Sequence, residues 1–262
     1  MDLLRRSDHE ATLTLRFPLP AECWERELAA AETDQSLVTE RFAIVIPALN
    51  AEESVGSVVR GCLEQLPDVL VVDDGSIDAT SAMAAKAGAL VLRHPRRRGK
   101  GGAMRTGFDW ALARGFDGVI GVDADGQHLP GEIPKLLLCR AETGADMVIG
   151  SRSHLFAQML PRRRCANRFS TWAIAMFSDA AITDSQCGFR LYTARLLRRF
   201  PLHAEGFDMD SEVIVRAGRA GLKLAMTPIE MGFVDGLATS HFRAVRDTLR
   251  IAATVLRVRF IG

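Results

Sequence analysis

The chain lacks the materials of a disulfide scaffold, a zinc finger or a membrane span. Its five cysteines, Cys23, Cys62, Cys139, Cys165 and Cys187, are odd in number and widely spaced, with no Cys-x-x-Cys pair. That pattern favours reduced thiols in a cytoplasmic protein over a disulfide framework or zinc site. No segment reaches the roughly 20 apolar residues that cross a bilayer, and the longest apolar run, Phe169 to Ser178, is too short. Met1 to Arg6 leads into Ser7-Asp8-His9-Glu10 and not into an apolar core, so no secretory signal is read there. Nor is there an excess of either charge. The 33 basic and 32 acidic residues leave a net charge of +1, which argues against a general nucleic-acid binder. Only four of the basic residues are lysine, a bias read as genomic base composition and given no functional weight. Internal repeats and low-complexity segments are also absent.

What is present is ordinary globular material: 262 residues, 48% hydrophobic and 25% charged, enough for one large α/β domain. Residues 1–40 lack a clear period and read as an N-terminal extension, partly helical around Ala21 to Ala31. From Arg41 strands and helices alternate. Strands are expected at Phe42–Ile46, Val69–Val72, Ala89–Leu92, Val119–Val122 and Met147–Ile149, with helices at 52–65, 78–87, 103–113 and 131–140 between them. This order predicts a mostly parallel sheet covered by helices. Beyond Gly150 the rhythm breaks into an arginine-rich stretch, an apolar helix, a short strand Gly188–Tyr192, a helix Ser211–Ala220 and the segment Lys223–Met231. The domain is placed at 41–240, followed by a terminal helix over 241–262.

The most informative stretch is Asp123-Ala124-Asp125-Gly126-Gln127-His128, which follows the apolar run Val119–Val122. In extended chain, residues i and i+2 project to one side, so Asp123 and Asp125 are expected to converge at the end of a buried strand. Two adjacent like charges call for a cation, and oxygen ligands with the neutral amide of Gln127 suit Mg²⁺ or Mn²⁺ better than zinc. The plain alternative is an acidic turn. A second acidic strand end, Val69-Leu70-Val71-Val72-Asp73-Asp74-Gly75-Ser76, favours the first reading, because ligands of open α/β sheets bind beyond the carboxyl ends of the strands. Two other nucleotide sites are disfavoured. The first strand leads into Pro47-Ala48-Leu49-Asn50 and not Gly-x-Gly-x-x-Gly, and Gly99-Lys100 lacks the upstream glycine and the following Ser or Thr of a P-loop.

The ordered set Ile46–Asn50, Val72–Ser76, Gly99-Lys100-Gly101-Gly102-Ala103, Asp123–His128, Gly150-Ser151-Arg152 and Gln186-Cys187-Gly188-Phe189-Arg190 resembles the family-two inverting glycosyltransferases of GT-A fold. Within them it is most similar to the polyprenyl (dolichyl) phosphate mannose and glucose synthases, over roughly residues 41–245. The resemblance implies a nucleotide-sugar donor of UDP-glucose or GDP-mannose type and a polyprenyl phosphate acceptor. It implies that Pro47, Leu49, Val72 and Asp74 frame the base and ribose, and that Asp123, Asp125 and Gln127 hold the ion, with Ala124 beside the donor. It also implies Arg152, Arg163 and Asn167 at the acceptor phosphate and His241 near the donor phosphates. Leu49, Ala51 and Gly236 depart from the mannose-synthase pattern, whereas Asp184–Phe189 looks more like the glucose-transferring branch.

A phosphate acceptor, with a second pKa of about 6, is already ionised near neutral pH and needs arginines more than a base. A hydroxyl acceptor of a glycan, glycolipid or small molecule would need one, and Asp210 and Glu212 are the candidates; Asp210 is read first as a helix cap. Gly99–Gly102 is read either as backbone amides approaching a phosphate or as a flexible turn. The terminal segment sets Phe242, Val245, Leu249, Ala252 and Leu256 at helical spacing among Arg243, Arg246, Arg250, Arg257 and Arg259. It reads either as a basic amphipathic helix on the cytoplasmic face of an anionic bilayer or as a helix that covers the sheet.

Overall fold

The computed structural model describes residues 40–158, 171, 174, 176–178, 182–232 and 244–260. The expected N-terminal extension, Arg163, Asn167, His241 and most of the apolar run from Phe169 lie outside them. Seven strands form one sheet: β1 (Phe42–Ala48), β2 (Val69–Asp73), β3 (Leu90–Arg93), β4 (Gly118–Gly121), β5 (Met147–Ser151), β6 (Arg190–Thr193) and β7 (Leu224–Pro228). Their order is β3-β2-β1-β4-β6-β5-β7. Every pairing is parallel except those of β6, which runs antiparallel to both β4 and β5.

The apolar runs of β1, β2, β4 and β5 are buried almost throughout because helices cover both faces of the sheet, as parallel strands require. Each fully buried Val, Ile or Leu contributes about 1.5–3 kcal/mol. The covering helices are α1 (Val55–Leu63), α2 (Thr80–Lys86), α3 (Lys100–Ala113), α4 (Ile133–Thr143), α5 (Ala194–Arg199), α6 (Met209–Arg219) and α7 (Ala244–Phe260). In α1, Val55, Val58, Val59 and Cys62 recur at helical spacing and form its buried side. Helix α3 starts three residues before the expected Ala103. Gly99, at φ +85°, turns the chain into it at a point where a β-carbon would strike the Glu205 carbonyl.

Helix α7 packs on α6. Ile251, Val255 and Val258, spaced i, i+4 and i+7, are its buried positions together with Thr254, while Ala252 and Leu256 are exposed. Of the stripe expected to be its apolar face, Ala252 and Leu256 therefore lie off the packing face. Polar contacts fix the docking: Thr254 Oγ1 donates to Asp208 Oδ2 at 2.9 Å, and the Arg219 guanidinium donates to the Val258 carbonyl.

Strand order reverses between β1 and β4. The β1 connection leads away to β2 and the chain returns through α3 on the other side, so the carboxyl ends of β1 and β4 flank a crevice. This is the point at which open α/β sheets bind ligands, and Asp123 lies just beyond β4.

Candidate active site at the β1–β4 crevice

Strand β4 ends at Gly121, so Asp123 and Asp125 sit in the turn beyond it and not in extended chain as expected. The turn brings them together. Asp125 Oδ1 accepts from the Gln127 amide at 3.0 Å, Gly126 takes φ +77°, and Ser54 Oγ, just before α1, donates to the Ala124 carbonyl at 2.7 Å. The Gln127 carbonyl accepts from Gly232, which ties the chain leaving β7 to the same turn.

The two carboxylates differ sharply in surroundings. Burial opposes the charge on Asp123, but the Lys100 ammonium, 2.7 Å from Oδ1, outweighs it and holds the carboxyl down at about 2. Burial and the charge of Asp123 push Asp125 up, and Asp125 has no ion pair among the described residues. The His128 ring lies beneath, 3% exposed, with Nδ1 accepting from the Asp123 amide at 3.2 Å. Burial pushes its pKa down to about 4, so it is a neutral prop at pH 7. Gly188 closes the other side, where a β-carbon would sit 2.8 Å from Asp123 Oδ2 and 2.5 Å from Lys100 Nζ. A larger residue there would push the ends of Asp123 and Lys100 aside, whereas glycine lets the chain entering β6 pass close to the pair undisturbed.

Lys100, the first residue of α3, also lies 3.7 Å from Asp210 Oδ2. Asp210 does not cap α6, and the expectation that it would is corrected: the N-cap position is Asp208, while the Asp210 carboxylate faces Lys100, Arg190 at 3.5 Å and the Tyr192 hydroxyl at 3.4 Å. Arg190 is wholly buried and donates to the carbonyls of Cys187, Asp210 and Ser185 at 2.6, 2.8 and 2.8 Å. Glu212 is committed elsewhere. Its Oε2 accepts the amides of His203 and Ala204 at 2.9 and 2.7 Å, and its Oε1 accepts from Arg216 Nε at 3.0 Å, so it braces a loop and is not placed as a base.

Two further expectations change. Asp74, expected at the base and ribose, is 3% exposed and accepts the amides of Arg98 and Gly99 at 2.8 and 2.7 Å, with His94 Nδ1 also at 2.8 Å. It positions the glycine loop instead. The amides of Gly101 and Gly102 donate to the Glu205 carbonyl at 2.9 and 3.3 Å, so the loop neither offers them to a phosphate nor forms a loose turn. Arg152 grips Asp184 through Nε and Nη2 at 2.8 and 3.1 Å, which fixes the plane of its guanidinium.

Pro47 and Val72 are register neighbours on β1 and β2, and Leu49 follows at the same carboxyl edge. A cleft of about 500 Å³ lined by Gly75, Ser76, Ile77, Arg93, His94 and Pro95 opens near the ends of β2 and β3. No residue expected to meet the donor lines it. The charged constellation is what locates the site, because convergent titratable groups in a crevice carry more chemical information than volume.

Residues 43–205 match Glycosyl transferase family 2. The chain belongs to that family. An undecaprenyl-phosphate mannosyltransferase of Micrococcus luteus is 34% identical over 72% of this chain and 82% of its own. A dolichyl-phosphate beta-glucosyltransferase of Saccharomyces cerevisiae is 28% identical over 83% of this chain and 74% of its own. Among solved structures, glucosyl-3-phosphoglycerate synthase from Mycobacterium tuberculosis in complex with Mg²⁺ and uridine diphosphate matches with TM-score 0.65 and 21% identity, over 90% of this chain and 84% of that one. This family-2 chain thus has the mixed α/β GT-A fold expected from its motifs. Sequence reading missed Lys100 as partner of Asp123 and Arg190 as the buried fork. The one available signal was a lone lysine among glycines in a chain that otherwise uses arginine.

Proposed function

We propose that this family-2 chain is an inverting hexosyltransferase that moves one sugar from a nucleotide diphosphate to a polyprenyl phosphate, with Mg²⁺ or Mn²⁺ as cofactor. The named activities of its relatives support the acceptor class. One observation in the site carries the choice of a phosphate over a hydroxyl: among the described residues, neither of the two candidate bases stands ready. Glu212 is saturated by two amides and Arg216, and Asp210 is balanced between Lys100 and Arg190. An acceptor that arrives already ionised needs neither.

The donor set fits a hard divalent ion. Asp123 and Asp125 offer oxygen only, and burial and the like charge of Asp123 both oppose ionisation of Asp125. No group of three His, Cys, Asp or Glu side chains stands together among the described residues. The remaining ligands would come from the Gln127 region, solvent and the donor diphosphate, as is usual for Mg²⁺. Such an ion, when bound, stabilises negative charge on the leaving diphosphate. The chain's own residues do the rest. Asp123 and Asp125 would hold that ion, the turn fixed by Ser54 and Gly232 keeps both acids on the crevice, and Arg152, held flat by Asp184, receives the acceptor phosphate, a role that the family resemblance also gives to Arg163 and Asn167. Pro47, Leu49 and Val72 border the base and ribose, and His241 is assigned to the donor phosphates on the family resemblance alone.

The protein is expected to be stabilised by UDP-glucose or GDP-mannose with Mn²⁺, and by neither alone to the same extent. At a hundred times Kd the gain is about 2.7 kcal/mol, or a rise of roughly 5–10 °C in melting temperature. With the matching donor, labelled hexose is expected to pass to polyprenyl phosphate and not to polyprenol. Transfer to the alcohol with the phosphate inert would overturn the reading.

No helix among the described residues is long and apolar enough to cross a membrane. The exposed side of α7, with Arg250, Leu256, Arg257 and Arg259, supports peripheral attachment to an anionic cytoplasmic leaflet, each arginine adding about 1 kcal/mol near the surface. The protein should float with phosphatidylglycerol vesicles at low salt and be released by glutamates at positions 257 and 259. Flotation unaffected by those changes would remove α7 from the interface.

A further inference from the structure

We infer that Lys100 is a built-in counter-cation for Asp123: it sits on that carboxylate before the donor arrives and gives it up to the divalent ion only when a nucleotide diphosphate enters, so that ion and donor bind as a coupled pair. The inference rests on the metal-dependent reading above and concerns a residue that reading does not use.

The geometry is that of a cation with two seats. Lys100 Nζ is 2.7 Å from Asp123 Oδ1 and 3.7 Å from Asp210 Oδ2, so one ammonium has two carboxylates within reach. Asp210 cannot turn away, because Arg190 and the Tyr192 hydroxyl face its other oxygen. The lysine stem is fixed as well. Asp74 holds the amides of Arg98 and Gly99 just before it, and the Glu205 carbonyl holds those of Gly101 and Gly102 just after it. The Phe207 ring centroid lies 5.6 Å from Nζ. A small movement therefore shifts the ammonium from Asp123 to Asp210 without leaving it unpaired.

With Lys100 on Asp123, a divalent ion meets both a competitor for Oδ1 and a like charge beside the site. A diphosphate reverses this balance, since its negative charge attracts the ammonium and supplies ligands to the ion. Lys100 thus opposes the ion alone and favours ion and donor together, which is a coupling free energy between two ligands.

The test is Mn²⁺ binding to the full chain, read by electron paramagnetic resonance with and without UDP, with circular dichroism to confirm the fold. Lys100→Met is expected to tighten Mn²⁺ binding without UDP by about tenfold and to shrink the enhancement that UDP gives, a change within the usual range of coupling. Lys100→Arg, which keeps the charge, is expected to stay near the wild type. Asp210→Asn removes the second seat and should weaken Mn²⁺ binding in the wild type but much less in the Lys100→Met background. Equal or weaker Mn²⁺ binding by a folded Lys100→Met protein, or an equal effect of Asp210→Asn in both backgrounds, would overturn the inference while leaving the metal-dependent reading intact. Failure of the wild type to bind Mn²⁺ even with UDP would overturn both.

Discussion

Asp123→Ala is expected to lower hexose transfer by about a thousandfold while leaving the melting temperature within about 3 °C of the wild type. Removing one preorganised group that meets charge developing in a transition state commonly costs about 2.7–4 kcal/mol of barrier, and each 1.36 kcal/mol is a factor of ten. Asp123 combines the ion-binding position with the pairing to Lys100, so the upper part of that range applies. The stability cost is small for a local reason. Loss of the carboxylate leaves Lys100 with Asp210, 3.7 Å away, and relieves the repulsion that raises Asp125. Asp123→Asn, which keeps the shape but not the charge, should fall almost as far. Steady-state transfer assays beside thermal melts separate the two effects, and an alanine variant that keeps more than a tenth of the turnover would remove Asp123 from the chemistry.

Arg190→Met should act in the opposite sense, through stability first. The wholly buried guanidinium satisfies three carbonyls and compensates Asp210. Truncating one partner of a buried, hydrogen-bonded charge pair costs about 3–5 kcal/mol, which for a chain of this size is a fall of roughly 10 °C. Arg190→Lys should rescue little, because an ammonium cannot reproduce the planar fork that meets three acceptors at once. Calorimetry decides it. A methionine variant melting within 2 °C of the wild type would mean that the three carbonyls find other donors.

The sheet was legible in the sequence where burial on both faces leaves an uninterrupted apolar run, as in Val69–Val72 and Met147–Ile149. It was less legible where chain position and spatial position part company. Strand β6 begins two residues later than the expected Gly188, because its pairing with β4 and β5 starts at Arg190. Helix α5 was not anticipated; its six residues hold too little pattern to register. The acidic motif announced the crevice, but the i, i+2 argument gave the wrong local geometry, since the acids lie in a turn. Lys100, Asp184 and Arg190 act through partners 23, 32 and 20 residues away in sequence. Pairings of that kind leave no local signature. Asp74 shows the converse: its strand-end position suggested a ligand contact, and only the coordinates reveal that loop amides have claimed both oxygens.

The reversed strand also constrains the order in which the molecule can be assembled. Strand β5 has no partner among the strands made before it; its neighbours are β6 and β7. During synthesis, β1 to β4 can associate as soon as they emerge, whereas β5 must wait some forty residues for Arg190–Thr193 to bridge the gap. Gly188 and Asp210, which line the crevice beside Asp123 and Lys100, come after that seam, so the nascent protein completes its core half before it possesses a working site.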